Sequence, residues 1–235
     1  MMVRSKHTYW LIFVALIGAL LAGCTGAATP APAPTAAPAA TAASAPAGFR
    51  TFTIAPAESK ASYIVDEEFF ADALTKYNIA AGKVQTVGST QEIAGQLQLN
   101  LDDPASSLGD NRFTVQINTL TSDQTLRDGW IRRNGPRLND YPTAKFVATG
   151  IEGAPASYSE GEEVQFQLVG NLTMRDTTQS ATFDVTATLQ GDTITGKATT
   201  RALLSAFGID PPNFANTLVV GDEFSIEVEI TAREE

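Results

Sequence analysis

The sequence predicts an all-β domain of antiparallel strands, preceded by a signal peptide and a disordered linker. Apolar and polar residues alternate over long runs, which is typical of strands with one buried and one solvated face. Turn-forming sequences such as Gln190-Gly191-Asp192 separate these runs. The pattern predicts about eight or nine strands in a sandwich or a barrel, and a barrel is favoured because closure leaves no exposed strand edge.

Residues 1–23 are predicted to be a lipoprotein signal peptide. Arg4 and Lys6 precede the uncharged apolar stretch Tyr9–Leu21, which leads into Leu-Ala-Gly-Cys ending at Cys24. This order is typical of secretory signals, and the stretch is shorter than the ~20 residues of a spanning helix. Leu-Ala-Gly-Cys resembles the bacterial lipobox, in which the cysteine is acylated, so Cys24 is the expected lipidation site. An ordinary signal peptide that holds a cysteine, or a short N-terminal anchor, is the alternative.

Residues 24–48 are predicted to be a disordered tether. The segment is rich in Ala, Pro, Thr and Ser and carries no charge, so it cannot bury a core. Its prolines favour an extended chain with a reach on the order of 70 Å, at roughly 3 Å per residue. We therefore expect an extracytoplasmic domain, lipid-anchored to a membrane in the periplasm or on the cell surface.

The composition excludes several kinds of chemistry. His7 is the only histidine and Cys24 the only cysteine, so after signal removal no Ser-His-Asp or Cys-His catalysis, His/Cys zinc site or intrachain disulfide is expected. Loss of Arg4 and Lys6 leaves 14 basic and 26 acidic residues, a net charge of −12, which does not suit nucleic acid. We expect no cofactor and no metal; a homodimer is left open.

The predicted domain covers residues 49–235, and most of it is strand. The long alternating runs are Ile93–Leu101, Arg112–Ile117, Glu163–Met174, Ala181–Leu189 and Phe224–Thr231. Shorter strands are predicted at Phe52–Ile54, Ala61–Val65, Ala144–Thr149 and Thr193–Thr200. Arg175–Thr178 is predicted to be a turn between two of the long strands.

Two segments depart from the alternation. Ser122–Asn134 predicts a short helix with Ser122 as N-cap, because Leu126 and Trp130 have the i, i+4 spacing of a helix face. Residues 66–90 predict a long loop that holds a helical turn over Glu67–Tyr77. Loops of this length are often lids or binding loops.

Three segments in order resemble the YceI-like family of secreted, polyisoprenoid-binding proteins: Thr121–Asp128 with Asp140–Phe146, Gly170–Gln179, and Ala206–Ile209 with Val220–Ile226. The resemblance implies an eight-stranded antiparallel, lipocalin-like β-barrel with one short helix, whose lumen takes a polyprenyl chain. The sequence departs from the family at Asp66–Phe69, where a histidine is common, in an apparent insertion at 69–85, and at Asp176, where glycine is common.

The apolar side of the strands supplies the candidate ligand-binding residues: Leu97, Leu99, Val115, Ile117, Phe166, Leu168, Phe183, Val185, Ile226 and Val228. A barrel of this size holds either packed side chains or one slender ligand, so these residues are either lumen wall or plain core. Phe69, Phe70, Trp130 and Arg127 are candidate mouth or lid residues, with packing onto the barrel as the alternative. Arg127 and its neighbours Arg132, Arg133 and Arg137 either meet a phosphate or quinone head group or pair with nearby carboxylates.

These observations predict a non-enzymatic protein that binds, and carries or buffers, a polyisoprenoid or similar long-chain lipid in the cell envelope. One alternative is an envelope-associated scaffold or adhesion module without a cavity. Another is a hydrolase, because two carboxylates suffice for glycoside hydrolysis. Its candidate residues are Asp66, Glu67, Glu68, Asp102 and Asp103.

Overall fold

The computed structural model describes residues 48–70, 80–103, 108–215 and 217–235. The predicted signal peptide, Cys24 and the tether up to residue 47 lie outside these ranges. Within them the chain forms eleven strands and one α-helix: β1 (Phe49–Ile54), β2 (Lys60–Phe69), β3 (Gly82–Thr90), β4 (Ile93–Asn100), β5 (Arg112–Gln116), α1 (Thr125–Arg133), β6 (Thr143–Glu152), β7 (Glu163–Met174), β8 (Thr177–Gln190), β9 (Thr193–Leu203), β10 (Asn213–Phe214) and β11 (Leu218–Glu234).

The strands close into an antiparallel barrel with eight positions, as the resemblance implied. Strands β1 and β2 share one position, because both pair with the same edge of β11, Thr53 with Arg233 and Lys60 with Glu229. Strands β3 and β4 share the next position against β2 and β1. The remaining positions are β5, β6, β7, β8, β9 and β11, and the pairing of β1 with β11 closes the ring.

A buried serine fixes the kink between β1 and β2. A short 3₁₀ turn over Pro56–Glu58 separates the two strands. The Ser59 hydroxyl donates to the Ala55 carbonyl at 2.9 Å and accepts from the Thr231 N–H at 3.0 Å. This hydroxyl therefore satisfies backbone groups that the broken strand leaves unpaired.

The two ends of the barrel carry different parts of the chain. At the helix end, Phe69 pairs with Leu218, and α1 packs nearby. At the opposite end, which we call the chain-start end, Phe49 pairs with Asn100. Inward side chains form one apolar cluster towards each end.

The helix begins at Thr125, two residues later than an N-cap at Ser122 would place it, so the prediction that Ser122 is the N-cap is wrong. The N-cap is Gln124, which makes no side-chain capping hydrogen bond. The Ser122 hydroxyl donates instead to the buried Asp128 carboxylate at 2.7 Å, and the Ser122 N–H donates to the same group at 3.0 Å. The Asp128 side chain, which belongs to the helix, therefore fixes the segment before the helix by binding Ser122; Ser122 does not cap the helix itself.

The predicted loop over residues 66–90 is largely a β-hairpin. Strand β2 continues to Phe69 and pairs with β3, Glu67 opposite Val84 and Phe69 opposite Gly82. The helical turn predicted over Glu67–Tyr77 is therefore wrong for its first three residues, and residues 71–79 lie outside the described ranges. A charged residue at an inward position interrupted the alternation and hid the strand.

Most other predicted strands are confirmed but are longer than the sequence indicated. The strands predicted at Ala144–Thr149 and Thr193–Thr200 extend over Thr143–Glu152 and Thr193–Leu203. The tight turn after Met174 is confirmed, and Arg175 adopts a positive φ of 54° there. The short strand β10 was not predicted.

Candidate ligand-binding cavity

The barrel encloses an apolar cavity of about 630 Å³. This volume lies within the range of roughly 300–1,000 Å³ that is typical of small-molecule sites. Both Val164 and Met174, at opposite ends of β7, line it. Ten residues of strand correspond to roughly 33 Å, or about 25 Å along a barrel axis at a usual tilt. The cavity is therefore long and narrow enough for a slender chain.

All ten predicted inward residues line this cavity: Leu97, Leu99, Val115, Ile117, Phe166, Leu168, Phe183, Val185, Ile226 and Val228. Their placement follows from the strand period, since residues two apart face the same side of the sheet. That any of them contacts a ligand stays a prediction.

Large and small side chains occupy different parts of the wall. Phe146 packs edge-on against Phe183, with ring centroids 4.9 Å apart, and lies 6.3 Å from Phe113. On β9, by contrast, the inward positions that line the cavity include Gly196 and Ala198. Because these side chains are small, they leave space in the lumen at their positions on β9. Gly196 and Ala198 were not among the predicted lining residues, although the strand period places them on the inward face of β9.

The predicted mouth residues differ in where they lie. Trp130 lines the cavity and packs edge-on against the half-exposed Phe214 at 5.3 Å between centroids. Phe69 is buried in the wall as part of β2, although the sequence had placed it in a loop. Phe70 does not line the cavity, and half of its surface is exposed.

Arg127 lines the helix end of the cavity and is held in a buried ion pair. Its Nε lies 3.1 Å from Glu67 Oε1, and its Nη2 lies 2.8 Å from Oε2. Only 4% of the Glu67 side chain and 15% of the Arg127 side chain are exposed. The Nη1 group also donates to Ser122 Oγ at 3.0 Å and to Asp123 Oδ1 at 2.5 Å. The guanidinium is thus committed to acceptors within the protein.

Two other arginines of this segment, Arg132 and Arg137, also have partners in the protein. Arg132 donates to the carbonyl oxygens of Asn118 and Leu120 at 2.8 and 2.7 Å. Arg137 pairs with Asp140 at 2.6 Å. The geometry therefore favours internal pairing over a free cluster that would meet a head group.

A tyrosine stands beside this ion pair. Tyr63 lines the cavity, and burial, with the nearby Asp128, Glu67 and Asp123 carboxylates adding to it, raises the pKa of Tyr63 to about 12. Its ring covers Gly88, where an added Cβ would come within 2.2 Å of the ring. The phenol is therefore an uncharged hydrogen-bonding group in the wall at neutral pH.

The candidate catalytic carboxylates are not brought together. Asp66 and Glu68 alternate with the inward Glu67 along β2 and so face outward. Asp102 and Asp103 follow β4 at the chain-start end. In the described part of the chain, no group of three or more His, Cys, Asp and Glu side chains is placed to hold a metal ion. None of the helices in the described ranges is long and apolar enough to cross a bilayer.

The model of the YceI-like domain matches residues 52–232, which is most of the chain. The chain belongs to the YceI-like domain family. The match covers every strand from β2 to β10, and the cavity lies within it. No curated protein sequence matches the chain.

Two solved structures share this YceI-like fold. BcnA from Burkholderia cenocepacia is 20% identical, with a TM-score of 0.57, and the alignment covers 76% of this chain and 98% of BcnA. A polyisoprenoid binding domain from Saccharophagus degradans, implicated in plant cell wall breakdown, is 9% identical, with a TM-score of 0.56, and the alignment covers 80% of this chain and 99% of that one. At these identities the likeness shows the fold alone.

Proposed function

We propose that this protein binds a polyisoprenoid or a similar long-chain apolar lipid inside its barrel and carries or buffers that lipid in the cell envelope. The observation that carries the proposal is the apolar cavity of about 630 Å³ between the two ends of the barrel. A scaffold or adhesion module needs no such space. The Saccharophagus degradans domain of the same fold is a polyisoprenoid binding domain, which supports the choice of lipid.

The energetics favour a carrier over a sink. Burial of one five-carbon unit gains about 4 kcal/mol relative to water, at ~0.8 kcal/mol per buried CH₂. Three such units, about 12 kcal/mol, outweigh all but the upper part of an association cost of roughly 4–15 kcal/mol, and four units, about 16 kcal/mol, outweigh all of it. A bilayer is as apolar as the cavity, however, so transfer from membrane to barrel is close to neutral. A ligand held in this balance exchanges readily with a membrane.

We further propose that acylated Cys24 anchors the domain beside the membrane that supplies the lipid. Two or more acyl chains hold a protein stably, whereas one holds it only marginally. The expected tether reach, on the order of 70 Å, exceeds the cavity length of about 25 Å. Either end of the barrel could then face the bilayer.

Native mass spectrometry of residues 48–235 tests the proposal. This segment is a suitable unit because its sheet closes on itself, and the solved relatives contain little beyond the matched barrel. We expect the domain to carry a co-purifying lipid or, once delipidated, to take up one molecule of farnesol. A domain that does neither would refute the proposal.

A matched pair of variants on β9 assigns the binding to the cavity. Ala198 lines the cavity, whereas Thr195 is exposed on the outer face of the same strand. Ala198→Trp fills the space and should weaken farnesol binding at least about a hundredfold, the equivalent of most of one displaced unit. Thr195→Trp should bind as the wild type does.

A further inference from the structure

Three basic residues border the cavity in the described part of the chain: Arg127, Lys145 and Lys197. Lys145 and Lys197 are exposed and occupy outward positions on β6 and β9, and Lys197 binds Glu227 at 2.8 Å. Arg127 is therefore the cation that a head group at the helix end would meet.

Arg127 has little capacity left for such a head group. A guanidinium has five N–H donors, and four of them are directed at Glu67, Ser122 and Asp123. A phosphate could gain the guanidinium only by displacing a buried carboxylate, which would then lie unpaired in an apolar wall. Such an exchange is unfavourable, because an unpaired buried charge is costly.

The charges around this point also disfavour an added anion. The Glu67 and Asp123 carboxylates bind the guanidinium directly, and a third carboxylate, Asp128, binds the neighbouring Ser122. Burial raises the pKa of the Tyr63 phenol to about 12; Arg127 lowers it, and the Asp128, Glu67 and Asp123 carboxylates raise it in turn. A lipid phosphate placed beside Tyr63 would experience the same burial and the same repulsion as the phenolate.

Uncharged polar groups, by contrast, are available at this end. The Tyr63 phenol and the Gln124 side chain both line the cavity. Such groups can hydrogen-bond an alcohol or a carbonyl without burying a net charge.

We infer that the cavity selects prenyl lipids with an uncharged head group, such as an alcohol or a quinone carbonyl, over prenyl phosphates and diphosphates, and that Glu67 determines this selection by neutralising Arg127. The inference rests on the proposed function and adds the class of ligand.

The test is equilibrium dialysis of residues 48–235 against farnesol and farnesyl diphosphate, which have the same tail. We expect the wild type to bind farnesol at least tenfold more tightly. Glu67→Gln should release Arg127 and reduce this ratio about tenfold. Glu58→Gln should leave the ratio unchanged. Glu58 lies on the turn between β1 and β2, and its ion pair with Arg233 is exposed and does not border the cavity.

Each result decides between the two proposals. Equal binding of both probes, or tighter binding of the diphosphate, overturns the inference. Equal binding is the result expected if the head group protrudes into solvent and does not contact the wall. Binding of neither probe refutes the proposed function itself. If Glu67→Gln fails to fold, Glu67→Leu/Arg127→Met replaces it, because loss of both partners removes no net charge from the wall. The ratio should then stay as in the wild type. A higher preference for farnesol would show that Arg127 attracts the diphosphate despite Glu67, which overturns the neutralisation.

Discussion

Removal of Arg127 should destabilise the barrel far more than removal of an exposed arginine. In Arg127→Met, the Glu67 carboxylate, 4% exposed, would remain buried without its partner. Breaking a buried pair in this way costs about 3–5 kcal/mol, and the 15% exposure of Arg127 places the expected loss near the lower limit. For a domain of this size, that corresponds to a fall in Tm of about 6–12 °C.

Urea unfolding of residues 48–235 measures this loss. The control is Arg201→Met, because Arg201 and Glu223 form an exposed pair with 73% and 58% of their side chains accessible. Such pairs contribute about 0–1 kcal/mol.

The double variant Glu67→Leu/Arg127→Met separates pairing from simple loss of packing. Replacement of both partners by apolar residues removes the uncompensated charge, so most of the stability should return. The reasoning is refuted if Arg127→Met costs no more than the control. It is also refuted if the double variant loses the sum of the single effects.

Three further predictions concern the cavity, Tyr63 and the anchor. Ala198→Trp should keep or raise the free energy of unfolding of the delipidated domain, because the indole would occupy empty space. In a solidly packed lumen the same substitution would cost about 1–3 kcal/mol; Thr195→Trp is the control in urea unfolding. The folded pKa of Tyr63 is raised to about 12, so its stabilising contribution is complete below pH 10 and is lost as the pH rises. Between pH 10 and 11 the wild type should therefore lose about 1 kcal/mol relative to Tyr63→Phe, and parallel unfolding curves would contradict this. In a bacterial host, Cys24→Ser should abolish fatty-acid labelling of the full chain and release it from the membrane fraction, whereas a labelled variant would contradict the lipobox.

The barrel and its inward face could be predicted because they depend on local periodicity. Phe166 and Leu168 on β7 alternate with polar residues, and so do Phe183 and Val185 on β8. One face of each strand had to be buried, and the pattern showed which face. Closure of the sheet followed from the number of strands and the resemblance.

The hairpin of β2 and β3 could not be predicted, because its stability depends on distant partners. Glu67 occupies an inward position, which a local pattern reads as a break in the strand. Its partner Arg127 lies 60 residues further along the chain, so the pairing that makes burial tolerable is visible only in three dimensions. For the same reason the sequence predicts Ser122 as a helix cap, whereas in the fold the Ser122 hydroxyl binds the Asp128 carboxylate.

The volume of the cavity depends on the combined size of all the side chains that face inward. Gly196 and Ala198 are unremarkable in sequence, and their small size leaves space only because they face inward in a closed barrel. Periodicity indicates which residues point inward, but it does not indicate whether they fill the volume.

Anomalous diffraction from crystals of residues 48–235 grown with a bromine-labelled prenol would locate the lipid in the protein. If the lumen holds the prenyl chain, a bromine peak should appear inside the barrel, among side chains such as Phe166, Val185 and Val228. A lumen filled by its own side chains, with bromine found only on the outer surface or nowhere in the crystal, would contradict this placement.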